Sequence, residues 1–408
     1  MAKTVKTTKR TPKRTKQRAA KRLVLVRYGE IFLKSAPVRR EYEKRLKENI
    51  KAGLKNEKIR DFKITRTRGR IFVEMPAKKM HESFDVLRKT FGIVSFSPCW
   101  HLQTAAVKDI QKFVRSNYRK WVKRGHTFAV RARRSGTQKE RYTSMQLAKK
   151  VGDVVNRKVN LSNPDVEIFV EVRDNDTYIY TEILDGPGGL PVGTAGRVVC
   201  LISGGIDSAV AAWLMMKRGC FVIALYADNW PYVSNKKKSL KRAASVLEVL
   251  QSWSAGWRMS VFTFDNGKNL KRFLETKGVP QKFTCLLCKR MMYMVANELA
   301  KQQKAKAIVT GETLGEVASQ TLDNLAVLDE ASELPVFRPL LGNDKQENIE
   351  LAKRIGTYKI SISSSSKCLA VPAAPRTRGN ISEIKSIESN LPMKKLLRES
   401  VKSLKKIN

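Results

Sequence analysis

The sequence predicts a mixed α/β plus α+β protein: two small α+β units in tandem, then a doubly wound α/β domain built on a parallel sheet. Three observations carry this. Residues 23–75 read as strand, helix, strand, strand. The segment "DGPGGLPVGTAG" (185–196) is dense in Gly and Pro and marks a linker. Beyond it, continuous apolar runs alternate with helical patterns, as in a parallel sheet covered on both faces.

The elements follow in order. Residues 1–22 hold ten Lys or Arg and no acid, so they have almost nothing to bury and are predicted as a disordered basic tail. "LVLVRYG" (23–29) is a short strand. In "VRREYEKRLKENIKAGL" (38–54), Tyr42, Leu46, Ile50 and Leu54 recur at four-residue spacing and form a helix stripe. "FKITRTRGRIFVEM" (62–75) reads as two strands, and "SFDVLRKTFG" as a further helix. That order suggests a ferredoxin-like domain over 23–78. A second unit over 79–185 has a helix near 106–124, the strand "TFAVRARR", a helix over 143–159, and the strands "VEIFVEVR" and "TYIYTEIL". After the linker at 186–196, "VVCLI", "FVIALYA", "MSVFTF" and "AKAIVTG" are the buried strands of the α/β domain, 197–380. Residues 381–408 read as a basic, weakly helical tail.

Charge narrows the function. There are 80 basic and 37 acidic residues, a net of +43, and the part after residue 22 still carries +33. Such a field attracts polyanions, nucleic acid above all, whereas charge used for salt adaptation usually runs acidic. No apolar run approaches the roughly 20 residues that span a bilayer, and the basic N-terminus lacks the apolar core of a signal peptide. Six cysteines in 408 residues are too few for a disulfide scaffold, so a cytoplasmic protein with reduced thiols is expected. The three histidines, His81, His101 and His126, all lie in the N-terminal half, which disfavours histidine base catalysis in the α/β domain.

The most informative stretch is "CLISGGIDSAV" (200–210). An apolar strand ends at Ile202 and a helix starts near Ser208. Between them two glycines let backbone amides approach an anion, the helix start adds positive dipole, and Ser203 and Ser208 add hydroxyls. The lysine of a Walker A loop is missing. The plain alternative is a tight turn in which Asp207 or a serine caps the helix.

"SGGIDS" resembles the PP-loop of ATP-pyrophosphatases, which cleave ATP between the α and β phosphates. "LVLVRYGEIFLKS", "FGIVSFSP", the linker and loop, "CLLCKRMMYMVANELA", "GETLGEVASQTLDNL" and "ELPVFRPLLGNDKQENIELAKRIGT" are similar, in order, to segments of tRNA 4-thiouridine synthetases. The resemblance covers about residues 23–375 and implies ferredoxin-like, THUMP and PP-loop domains. It implies that the 4-oxygen of uridine 8 in tRNA is adenylated by ATP with Mg²⁺, and that sulfur then displaces AMP. Matched onto this chain, Ser203, Gly204, Gly205 and Ser208 cradle pyrophosphate, and Asp207 positions Mg²⁺ or the reacting phosphate. Lys345 neutralises the transition state, with Arg338 as a lesser candidate. Leu201, Ile202, Tyr226, Ala227, Gly311, Glu312 and Gln320 complete the ATP site. Ala209 stands where the family often has Pro, Glu316 where Gln is common, and Tyr226 where His is common; these departures bear on adenine-side detail.

The resemblance also implies that the THUMP unit and the domain before it grip the acceptor end of tRNA. Alternation in "FAVRARR" sets Phe128, Val130 and Ala132 on one face and Ala129, Arg131 and Arg133 on the other. Arg131, Arg133 and Arg134 would then form a basic edge, joined by Lys139, Arg141, Lys149 and Lys150. Bacterial relatives often carry a rhodanese domain, for which this chain has no room. Rhodanese-free, archaeal-type relatives have C-x-x-C plus one distant cysteine, matched here by Cys285, Cys288 and Cys368. That set implies an iron–sulfur cluster, [4Fe–4S] or [3Fe–4S], with thiolates favoured by Lys289 and Arg290. Zinc, or a persulfide resolved as a disulfide, is the alternative reading. Sulfide or a cysteine desulfurase would supply sulfur, and a homodimer is expected. Competing functions are another PP-loop tRNA thiolase or amidotransferase, and a non-catalytic tRNA-binding protein.

Overall fold

The computed structural model describes residues 21–67, 69–136, 142–363 and 367–407. The basic tail expected at 1–22 lies outside these residues except for its last two, which open the first strand. No helix among the described residues is long and apolar enough to cross a membrane.

The first unit runs β1 (Lys21–Arg27), α1 (Ala36–Asn56), β2 (Lys63–Thr67), β3 (Arg70–Pro76), α2 (Met80–Arg88) and β4 (Ser95–Leu102). α1 starts with Pro37 in its first turn, where a missing N–H costs nothing, and buries the Leu46–Ile50–Leu54 stripe. β1 lies between β3 and β4, antiparallel to both. Its core takes in Phe84, Leu87, Ile93 and Phe96. The unit therefore does not stop at residue 78: Pro76 and Lys78–Lys79 look like a boundary, but only a short 3₁₀ turn separates β3 from α2.

The second unit adds α3 (Val107–Trp121), β5 (Phe128–Ser135), α4 (Ser144–Gly152), β6 (Val166–Arg173), β7 (Asp176–Tyr180) and β8 (Leu184–Asp185). The far half of β4 pairs with β7, so both units share one sheet in the order β2-β3-β1-β4-β7-β6-β5, with β8 against β4. α4 opens on a capping box between Thr143 and Gln146. It ends at Gly152 rather than running to 159. The chain beyond is drawn to the edge of β5, where the Phe128 amide donates to the Lys158 carbonyl (3.0 Å) and the Asn160 amide to the Phe128 carbonyl (3.0 Å).

The third unit begins with β9 (Arg197–Leu201), α5 (Ile206–Lys217), β10 (Phe221–Asp228), α6 (Lys236–Ser252), β11 (Ser260–Asp265), α7 (Gly267–Glu275) and α8 (Thr284–Gln303). It continues with β12 (Ile308–Val309), α9 (Leu322–Asp329), β13 (Val336–Phe337), α10 (Lys345–Ile355), α11 (Tyr358–Ile362), α12 (Ile381–Ser389), α13 (Met393–Lys402) and β14 (Lys405–Lys406). The strand order is β13-β12-β9-β10-β11-β14, parallel except for the edge strand β14. The first strand, β9, thus sits between β10 and β12, at the switch point where such sheets bind ligands beyond their carboxyl ends. Residues 381–407 are not a tail. Ile384, Ile387, Leu391 and Leu396 are buried in the main core, and β14 completes the sheet.

The units are fastened together. Phe91 packs on Trp213 and Trp253 with ring centroids 5.3 and 5.7 Å apart. Arg218 pairs with Glu30 through two hydrogen bonds of 2.8 and 3.0 Å, and Trp257 Nε1 donates to Asn49 Oδ1 at 2.8 Å. Gly256, at φ +76°, lets the chain come so near α1 that a Cβ would lie 2.6 Å from the Ala52 carbonyl carbon. The Gly/Pro segment is pinned as well: the amides of Gly186, Gly188 and Gly193 donate to the carbonyls of Val94, Ile93 and Gly219.

Candidate nucleotide site and its cysteines

The "SGGIDS" segment turns from β9 into α5. Gly204 has φ +79°, and a Cβ there would sit 3.0 Å from the Ala243 amide nitrogen, so the turn needs glycine on both counts. The N-cap is Gly205, with no side chain capping the helix. Asp207 is therefore not a cap; its carboxylate turns elsewhere. The serine hydroxyls satisfy the loop's own amides: Ser203 N donates to Ser208 Oγ and Gly205 N to Ser203 Oγ, both at 3.2 Å. Gly311, just after β12, packs flat on this turn, where a Cβ would lie 2.5 Å from Asp207 C and Ser208 N.

A cavity of about 200 Å³ opens beside the loop. Leu201, Ile202 and Ser203 line one side, Tyr226 and Ala227 another, with Asn229, Ser239, Met292 and Cys368 closing it. The Tyr226 hydroxyl shares a 2.9 Å hydrogen bond with Ser239 Oγ.

Lys345 reaches the loop from the first turn of α10. Its Nζ donates to Asp207 Oδ1 and Oδ2 at 3.2 and 3.0 Å, and also to Glu316 Oε1. Asn348 Nδ2 joins Asp207 to Thr313, 3.3 Å from each. A cation at a helix start is disfavoured by the dipole, and burial alone would lower its pKa; Glu316 and Asp207 outweigh burial and hold the ammonium above the ordinary lysine value. Asn348 carried no motif of its own in the sequence, and the role of Glu316 was visible only as a departure from a pattern.

Glu312 and Arg338 lie apart from that cavity. The buried Glu312 carboxylate accepts from Lys289 Nζ (2.8 Å), Arg338 Nε (2.8 Å), Tyr293 OH (2.9 Å) and Thr310 Oγ1 (3.0 Å). Burial would raise its pKa, but Lys289 and Arg338 prevail and hold it at about 2. Arg338 also pairs with Asp329. These residues tie α8 to the segments that follow β12 and β13. Gln320 lies in the loop before α9, its Oε1 buried without a partner.

The three cysteines come from two directions. Cys285 and Cys288 sit in the first turns of α8, and Met292, one turn on, lines the cavity. Cys368 pairs as an isolated bridge with Val233 and is exposed. Burial pushes the Cys285 thiol up, with Cys368 adding to it, and drives Cys288 to about 12 despite the 3.2 Å hydrogen bond from Asn266 Nδ2. Lys289 acts to lower both thiols, as expected, but burial outweighs it. Lys289 is held by Glu312, and Arg290 is buried against Glu330 and Glu388. Among the described residues, no group of three or more His, Cys, Asp or Glu side chains is placed to hold a metal ion.

The basic face of the second unit also differs from expectation. Arg131 and Arg133 share the sheet face away from the helices, but Arg134 lies on the other, with its guanidinium 4.3 Å from the centre of the Tyr142 ring. The three arginines therefore form no single edge, because adjacent strand residues alternate. Arg131 is engaged by Glu167 and the Leu161 carbonyl, both at 2.7 Å. Arg133, Lys149 and Lys150 are exposed, and Lys139 and Arg141 lie outside the described residues. A cavity of about 620 Å³ on this face collects Arg27, Arg131, Arg133, Phe169 and Tyr180. Arg27 stands 4.7 Å over the Tyr180 ring. Stacking surfaces interleaved with cations suit single-stranded nucleic acid.

Fold and site together define a PP-loop nucleotide domain joined to a ferredoxin-like and THUMP pair. Residues 23–97 match the ThiI ferredoxin-like domain model, 104–182 the THUMP domain, and 193–393 the model described as thiamine biosynthesis protein (ThiI). Probable tRNA sulfurtransferases of Methanosarcina mazei and Methanothermobacter thermautotrophicus are 40% and 42% identical, over 94% and 87% of this chain and 94% and 90% of theirs. A crystal structure of a 4-thiouridine synthetase–RNA complex with bound ATP superposes with a TM-score of 0.82 at 31% identity, covering 95% of this chain and all of that one. The chain belongs to the tRNA sulfurtransferase (ThiI) family.

Proposed function

We propose that this protein uses ATP to adenylate the 4-oxygen of uridine 8 in tRNA and then replaces that oxygen by sulfur, giving 4-thiouridine, AMP and pyrophosphate. The carrying observation is that Cys368 and the loop residue Ser203 line one cavity, so a sulfur atom and the nucleotide share a wall. The ATP and RNA bound to the solved relative support the same reading. Asp207, Lys345 and Asn348 hold the loop's outer side, and Mg²⁺ bound with ATP would find the Asp207 carboxylate there. A carbonyl oxygen is a poor leaving group; attack on the α-phosphate expels pyrophosphate and makes the oxygen part of AMP, a good one. Loop amides other than those of Ser203 and Gly205, together with Lys345, stabilise the charge that collects on the departing pyrophosphate.

Sulfur arrives from outside, as sulfide or as persulfide passed from a cysteine desulfurase. In the persulfide route the terminal sulfur on Cys368 attacks C4 and AMP leaves. Cys285 then attacks the Cys368 sulfur, which releases 4-thiouridine and leaves a Cys285–Cys368 disulfide for an external dithiol to reduce. The three thiols do not converge as metal ligands, whereas the persulfide route uses only Cys368 and Cys285. The first two units would present the tRNA through Arg133, Lys149, Lys150 and the Arg27–Tyr180 face. The test is pyrophosphate release with tRNA carrying U8 or C8. Release with U8 alone supports the reading; binding of tRNA without any tRNA-dependent release would mark a non-catalytic binder.

A further inference from the structure

The cations around the nucleotide site are nearly all spoken for. Lys345 is held by Asp207 and Glu316, Lys289 and Arg338 by Glu312, and Lys236 by Asp228 at 3.3 Å. Arg242 is different. It lines the same cavity as Ser203 and Tyr226, and its Nε is shielded from solvent with no hydrogen-bond partner. No carboxylate pairs with it among the described residues. A half-buried guanidinium with an orphaned N–H is unfavourable until an anion arrives.

Its backbone is equally telling. The Arg242 carbonyl carbon and the Ala243 amide are the atoms that a side chain at Gly204 would strike, at 3.4 and 3.0 Å. This turn of α6 therefore packs directly on the loop. α5, which the loop opens, contacts both α6 and α10; α6 brings Arg242 against Gly204 and α10 brings Lys345 to Asp207. Lys345 brings two carboxylates with it; Arg242 brings its charge uncompensated.

We infer that Arg242 is a phosphate ligand, its planar fork taking the β- and γ-phosphate oxygens of ATP and following them as pyrophosphate departs. The inference deepens the ATP-dependent reading above and rests on it. The test is calorimetric titration of wild type, R242K and R242A with ATP, inorganic pyrophosphate and adenosine, without tRNA, beside thermal melts. For R242A the dissociation constants for ATP and pyrophosphate should rise about tenfold or more, with R242K intermediate and adenosine within about twofold. Unchanged ATP affinity in a folded R242A overturns the inference alone, as does an equal loss for ATP and adenosine, which would make Arg242 mere cavity wall. A wild-type chain that binds no ATP would overturn the nucleotide reading and this inference together.

Discussion

Replacing Glu312 by Gln removes one negative charge from a site where Lys289 and Arg338 converge on it, with the carboxylate only 6% exposed. The native carboxyl titrates at about 2 against an ordinary 4.5. A depressed carboxyl pKa adds stability that is fully present above the unfolded value and lost as pH falls through the folded one. That difference corresponds to about 3 kcal/mol at pH 7 and about 2 kcal/mol at pH 3.5. Urea unfolding of wild type and E312Q, followed by tryptophan emission at both pH values, measures it. The stability gap between the two proteins should narrow by about 1 kcal/mol on acidification. A gap below 1 kcal/mol at pH 7, or one equal at both pH values, would refute the argument that paired charge, rather than shape, makes Glu312 matter.

Three further outcomes are expected. G311A forces a methyl group against the Asp207–Ser208 backbone, so it should cost about 1–3 kcal/mol and weaken ATP binding; a variant with wild-type melting and affinity would show that the loop yields freely. R290A strips the buried partner from Glu388 and should destabilise by about 3–5 kcal/mol, read by urea unfolding; a loss under 1 kcal/mol would mean α12 is held by its apolar residues alone. Alkylation at pH 7 followed by peptide mass spectrometry should label Cys368 first and Cys285 slowly, and spare Cys288, Cys99 and Cys200; early labelling of Cys288 would contradict its burial and raised pKa.

Much of the nucleotide site is legible in the sequence because it is local. A buried strand, two glycines and a helix start occupy eleven consecutive residues, and each has one physical use. Asp207 and Lys345 are each named by resemblance, but nothing in the sequence pairs them across 138 positions. Glu312 is assigned to the ATP site by resemblance to the family. Its four partners come from α8 and the segments after β12 and β13, which no local pattern reveals. Residues 381–408 misled for the opposite reason. Their frequent lysines suggest a solvated tail, yet Ile384 and Ile387 on α12, Leu391 in the turn after it and Leu396 on α13 dock them. Arg242 lies among lysines on α6, and only the cavity distinguishes it.

Phe91, Trp213 and Trp253 pack as one mutual cluster, so the first unit and the third share a core. A hinge would let the first two units swing against the third, but a shared aromatic core, the pinned Gly/Pro segment and the Arg218–Glu30 bridge fix a single span between the basic sheet face and the loop.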